Sequence, residues 1–203
     1  LHTYVKCNPT LLGYDLARRT LDDLGYAHLA FDDHHFTTDL QLADALAMFG
    51  RLHRRARAAG LVFGVKLSNT LPTDVTRGEL PATEMYVSGR ALLPLTLTLA
   101  ATLARACDGR LPISYAGGAD ATNVADLLRT GIAPVTVCTT LLKPGGYARL
   151  NELAELSTTV TGGERRGEPG LVDADAVAAL AARVVADPRT HKRYREKVGS
   201  RKT

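Results

Sequence analysis

Thirty consecutive residues, 111–140 (LPISYAGGADATNVADLLRTGIAPVTVCTT), constrain the fold more than any other stretch. They hold two short, nearly continuous apolar runs, residues 111–116 and 134–138, around a helical pattern at 121–130 that Gly131 ends. Strands buried on both faces lack the usual polar alternation, and a strand–helix–strand order this compact reads as a parallel crossover. Asp120 stands where a helix N-cap belongs. Gly117 and Gly118 follow the first strand, and Thr139 and Thr140 follow the second. Loops at the carboxyl ends of neighbouring parallel strands open on the same side, so these four residues are expected to share one phosphate-sized cleft. Adjacent glycines also suit a plain tight turn, and spacing alone leaves both readings open.

A chain of 203 residues, 45% of them hydrophobic, can bury a substantial core, and one globular domain is the default expectation. An α/β barrel ordinarily takes about 250 residues. Because residue 1 is Leu and a strand pattern begins at once with Tyr4, the chain is expected to lack the opening strands of such a barrel. The longest apolar run, residues 91–104, contains Pro94 and several threonines and is too short to span a bilayer. No basic segment precedes an apolar leader. A soluble cytoplasmic protein with no membrane partner is therefore expected. Cys7, Cys107 and Cys138 are far apart and form no CxxC pair, so no disulfide framework and no metal site is signalled. The formal charge of +4 comes from the end of the chain, where residues 188–203 carry net +6 and leave the body near −2. Only Tyr194 offers an aromatic surface there, which argues for a solvated linker and against a nucleic-acid partner.

Earlier in the chain, residues 4–7 read as a strand stopped by Pro9, and residues 15–24 as a helix ended by Gly25. A second strand is expected at 27–31, a polar loop at 32–38 and a long helix at 40–59. Residues 61–67 form an apolar strand broken by one charge, Lys66. A lysine near the end of such a strand must snorkel or meet an anion, since an unpaired buried ammonium is costly. Residues 72–81 read as a loop. Ser88-Gly89 then leads into a helix at 95–106, and a short helix is expected at 147–156. A charged loop at 162–170, an Ala-rich helix capped by Asp173 and the basic tail from Pro188 complete the chain. The domain reading is thus 1–156 for the barrel portion, 157–187 for a loop and helix, and 188–203 for a linker. No GxGxxG follows a strand, so a nicotinamide site within the chain is not expected.

The segments VKCNPTLLGYD, FGVKLSNT, ELPATEMYVSGR and AGGADATNVADLLRTGIAPVTVCTTLLKPGGY together resemble the later part of the flavin barrel in dihydroorotate and dihydropyrimidine dehydrogenases. Within that superfamily the chain resembles the YgfK family of selenate-reductase-type subunits, multi-module flavin oxidoreductases. The similarity runs from Val5 to about Glu155. It implies an α/β fold that is the C-terminal part of a TIM-type (β/α)₈ barrel, incomplete at its N-terminus, with FMN as cofactor. Iron–sulfur clusters and a pyridine nucleotide are implied only for other modules, and partners are a small-molecule substrate and those electron-transfer modules.

On this resemblance Gly117, Gly118, Thr139 and Thr140 hold the phosphate, Lys66 faces the flavin ring, and Ser88-Gly89 passes beside the cofactor. Asn8, at the end of the first strand, is a further cofactor contact. The relatives place a helix and a strand between the lysine strand and the Ser-Gly motif, and residues 68–87 are too short for both. A local shortcut or a partner segment is therefore expected to complete the barrel. The relatives draw a proton donor from a loop Cys or Ser, which the matching segment 32–38 lacks. His34 and His35 are the titratable groups there, with a solvated role as the alternative. Two other functions stay open: a Schiff-base aldolase acting through Lys66, and a catalytically degenerate docking scaffold.

Overall fold

The computed structural model describes residues 1–161 and 171–192. The elements in chain order are β1 (Thr3–Cys7), α1 (Tyr14–Asp23), α2 (His34–Thr38), α3 (Leu42–Ala58), β2 (Phe63–Leu67), β3 (Leu71–Asp74) and β4 (Glu84–Val87). After these come α4 (Leu93–Ala106), β5 (Ile113–Tyr115), α5 (Val124–Arg129), α6 (Ala148–Thr161) and α7 (Ala174–Ala186).

Strands β1, β2 and β5 form a parallel sheet in that order, with Lys6 opposite Lys66 and Lys66 opposite Ser114. The expected strand at 134–138 is reduced to one parallel bridge between Tyr115 and Val135. Tyr115 N–H donates to Pro134 O at 2.9 Å and Thr136 N–H to Tyr115 O at 2.8 Å. The strand–helix–strand unit is therefore present, with a helix shorter than expected. Residues 120–122 are held in a turn instead, where the Asp120 side chain accepts from Thr122 N–H at 2.9 Å and its carbonyl accepts from Val124 N–H at 3.0 Å.

Successive strand residues point to opposite faces. Cys7, Val65, Leu67, Ile113 and Tyr115 turn to one side and join the main core with residues of α3, α4 and α7. Lys6, Lys66 and Ser114 occupy the other face. The α4 segment is apolar on nearly every side, as a helix covered all round must be, and it contacts both β2 and α7. Each leucine fully buried there contributes about 1.5–3 kcal/mol of transfer free energy. A second cluster gathers Ala17, Leu21, Phe31, Phe36, Leu71 and Leu92, with Tyr14 set edge-on to both phenylalanines.

Four expectations are corrected. Residues 27–31 form no strand. Leu29 N–H closes a turn on Tyr26 O, Ala30 O accepts from Asp74 N–H at 2.7 Å, and Phe31 sinks into the second cluster. The segment 32–38 is no plain loop. Asp32 accepts from His34 N–H, and α2 follows because Phe36 has a core to enter. Residues 72–81 begin in an antiparallel hairpin of β3 with β4; Leu71 and Thr73 face inward, and Pro72 is tolerated because the pair has only edges. Nor does a solvated linker begin at Pro188. Thr190 is buried, its carbonyl accepts from Tyr26 Oη at 3.2 Å, and Lys192 N–H donates to Leu24 O at 3.0 Å.

Asp173 caps α7 as expected, accepting from Asp175 N–H and Ala176 N–H. The boundary expected at residue 156 falls inside α6, and α7 contributes Val177, Leu180, Ala181 and Val184 to the main core. The charged loop at 162–170 and the tail after residue 192 lie outside the described residues. Among the described residues, no helix is long and apolar enough to cross a membrane.

Candidate functional site

The carboxyl ends of β1 and β2 are tied by side-chain amides. Asn69 Nδ2 donates to Asn8 Oδ1 at 2.6 Å, and Asn8 Nδ2 donates to Asp39 Oδ2 at 2.8 Å. Thr10 Oγ1 donates to the same carboxylate oxygen at 2.6 Å, and Asn69 N–H bonds Cys7 O at 2.8 Å. The carboxyl end of β5 is joined to β2 by Ser68 N–H on Ala116 O at 2.7 Å. Asn8 thus sits at the expected strand end, with its amide committed to a network.

Two glycine loops meet beside these ends. A Cβ on Gly118 would lie 2.7 Å from Gly89 O and 2.9 Å from Arg90 Cα, and one on Gly117 would lie 2.8 Å from Thr96 Oγ1. Both glycines have positive φ, so only glycine lets the two loops touch in these conformations. Thr139 packs on Gly89, where an added Cβ would meet its methyl at 3.0 Å, and Thr140 Oγ1 donates to Ala119 O at 3.0 Å. Ser88-Gly89, Gly117-Gly118 and Thr139-Thr140 are therefore one cluster. The protein's own packing requires the glycines, independently of any ligand.

Arg90 clamps this cluster. Its Nε donates to Asp120 Oδ2 at 3.0 Å, its Nη2 donates to the same oxygen, and Nη2 also reaches Thr122 Oγ1 at 3.3 Å. Burial opposes ionisation of Asp120, but hydrogen bonds from Thr122 and Arg90 and the guanidinium charge outweigh it and hold the carboxyl below its ordinary value. Among the described residues, the backbone N–H groups of Gly117, Gly118, Thr139 and Thr140 make no hydrogen bond. Four free donors in touching loops match an anion with several acceptor oxygens, the chemistry of a phosphate.

Lys66 lies on the open face of the sheet, half-buried, with Nζ donating to Thr136 Oγ1 at 3.0 Å. Thr136 Oγ1 in turn donates to Tyr115 O at 3.1 Å, so the ammonium is held from the β5 side. His34 and His35 stand on α2, and His35 Nε2 is 2.8 Å from Glu84 Oε1 on β4. Among the described residues neither histidine hydrogen-bonds to Lys66 or to the glycine loops. Cys7 is a packed strand residue; burial pushes its thiol up to about 12, which removes it as a nucleophile or proton donor near neutral pH.

Sequence reasoning missed Arg90, Thr96, Asp39, Asn69 and Thr136. Arg90 follows the Ser-Gly pair and Asn69 follows the lysine strand, so proximity to a motif was their signal. Asp39 and Thr136 reach the site only through the tertiary fold. Among the described residues no cluster of metal-ligating side chains occurs.

The chain matches a family model described as "Oxidoreductase YgfK, N-terminal TIM-barrel domain" over residues 1–192. Curated proteins named "Putative oxidoreductase YgfK" from Escherichia coli strain K12 and from Escherichia coli O157:H7 are each 52% identical to it over 151 residues, 74% of this chain. That alignment takes in 15% of each relative, so the chain spans only a small part of their length. The chain belongs to the YgfK oxidoreductase family and corresponds to its N-terminal TIM-barrel domain.

Proposed function

We propose that the chain is an FMN-binding, dihydroorotate-dehydrogenase-like part of a barrel within a larger oxidoreductase. The observation that carries this reading is the set of N–H donors on Gly117, Gly118, Thr139 and Thr140, half-exposed and with no partner among the described residues, in two touching loops, with Lys66 on the adjoining sheet face. The loops would hold the cofactor phosphate, and Ser88-Gly89 would flank the cofactor where the main chain carries no side chain. When bound, FMN supplies two-electron transfer between a small-molecule substrate and a redox partner. Iron–sulfur clusters, a pyridine nucleotide and the selenate-reductase-type assembly belong, on this reading, to the much longer remainder of the relatives' length. On this reading a local shortcut or a partner segment completes the barrel.

Lys66 provides a positive charge fixed before reaction by Thr136, so little reorganisation is needed as negative charge grows on the reduced ring. His35 is engaged by Glu84, and no proton transfer is assigned to it or to His34. The test is a spectroscopic redox titration of the full-length protein and its Lys66→Met variant. One charged contact is worth about 1.5–3 kcal/mol, which lowers a two-electron potential by roughly 30–65 mV at about 30 mV per 1.4 kcal/mol. A bound flavin whose potential stays put would place Lys66 elsewhere, and protein without flavin would end the reading.

A further inference from the structure

Three buried hydroxyls converge on the Gly117-Gly118 loop from the core. Ser68 follows β2, Thr96 stands in the first turn of α4 and Tyr115 ends β5, and these residues are 5%, 0% and 0% exposed. Ser68 Oγ and Thr96 Oγ1 are 2.9 Å apart, Thr96 also hydrogen-bonds the Tyr115 hydroxyl, and Tyr115 Oη donates to Gly117 O at 3.2 Å. Thr96 packs on the same glycine, where an added Cβ would lie 2.8 Å from its Oγ1. Apolar side chains would fill this space with no polar group to satisfy, since a buried hydroxyl is costly unless bonded. Here the hydroxyls are bonded in series, and the series ends on one backbone carbonyl.

A peptide plane between two glycines is the one that sterics hold least, because neither residue carries a Cβ. The Gly117–Gly118 peptide is trans, so its carbonyl and its N–H point in opposite directions. With the carbonyl bonded to a hydroxyl in the core, the Gly118 N–H is turned away from the core, and it has no partner among the described residues. Burial pushes the Tyr115 phenol far above its ordinary range, so at neutral pH it remains a donor. We propose that Tyr115 is a positioning residue: braced by Thr96 and Ser68, it holds the Gly117 carbonyl inward and thereby presents the Gly118 N–H to an anionic group at the loop. This rests on the reading of the glycine and threonine loops as a phosphate site. The hydroxyls do not touch the anion; they fix the direction of one donor before binding, which removes part of the ordering cost of association.

The experiment titrates flavin-free full-length protein by calorimetry with FMN, riboflavin and inorganic phosphate in separate runs, for wild type, Tyr115→Phe, Thr96→Val and Thr96→Ser. Tyr115→Phe removes one oxygen and leaves the packed ring, and Thr96→Val keeps the branched shape without the hydroxyl. In both, the ratio of FMN to riboflavin affinity is expected to fall about fivefold, the worth of one ordinary hydrogen bond, with phosphate affinity falling alongside it. Thr96→Ser keeps the hydroxyl and is expected to retain the wild-type ratio. A role in packing alone would weaken FMN and riboflavin equally; an unmoved ratio in Tyr115→Phe and Thr96→Val therefore overturns the proposal. Melting curves show whether each variant folds, and if Tyr115→Phe does not, the contrast between Thr96→Val and Thr96→Ser decides. Wild type that binds phosphate but no flavin, with the phosphate affinity still lost in Tyr115→Phe, keeps the positioning role and refutes only the FMN reading. Wild type that binds no phosphate and holds FMN no tighter than riboflavin overturns both.

Discussion

Gly118 is where the two glycine loops touch, with its φ at +84° and the Gly89 carbonyl filling the place a Cβ would take. A side chain there meets backbone, which cannot step aside as a flexible side chain could. Left-handed strain of about 1–2 kcal/mol adds to overpacking of about 1–3 kcal/mol. Gly118→Val is thus expected to destabilise the fold by roughly 2–5 kcal/mol and to lower Tm by about 4–20 °C for a domain of this size. Calorimetric melting checks this, and an unchanged Tm would show that the loops do not meet. The sequence marked the glycine pair and its helix but left a ligand and a plain tight turn both open as the reason for it. The real neighbour lies about thirty residues away in the chain, where local spacing gives no view.

At the scale of elements, the Arg90–Asp120 pair locks the Ser-Gly loop to the turn before α5. Asp120 has its carboxyl held below its ordinary value in the folded chain, against about 3.9 when unfolded. Its contribution is therefore full above about pH 4 and is lost as pH falls through the lower folded value. Asp120→Asn leaves Arg90 half-buried without its charge partner, at a cost of about 1–3 kcal/mol at neutral pH. Urea midpoints of wild type and variant between pH 7 and pH 2.5 are expected to converge at the acid end. A constant gap would mean that the pair contributes no pH-dependent stability. The parallel strands and α3, α4 and α7 were legible because long apolar runs and caps declare themselves locally. The β3–β4 hairpin was not, since Pro72 and Pro81 interrupt the pattern and the pairing is decided by where Leu71 and Thr73 find a core. Residues 27–31 carry a strand's composition but bury Phe31 against Tyr14 and Phe36, so tertiary packing overrode local preference.

At the scale of the described residues, one buried helix, α4, joins the sheet to α7, and the segment after α7 returns to the body through Thr190 and Lys192. This arrangement brings the loops after β5 and after the bridge at Val135 against Gly89, so a site spread over fifty residues becomes one surface. The candidate residues from those loops and Lys66 were readable from motif and resemblance. The separation of His34 and His35 from them followed only from the placement of α2. The central claim is that free backbone donors of the glycine and threonine loops hold a phosphate. It is tested most directly by measuring the affinity of the flavin-stripped full-length protein for FMN and for riboflavin, which lacks that group. Charge-assisted hydrogen bonds worth about 1.5–3 kcal/mol predict FMN binding tighter by roughly 10–150-fold, whereas equal affinities would contradict the account.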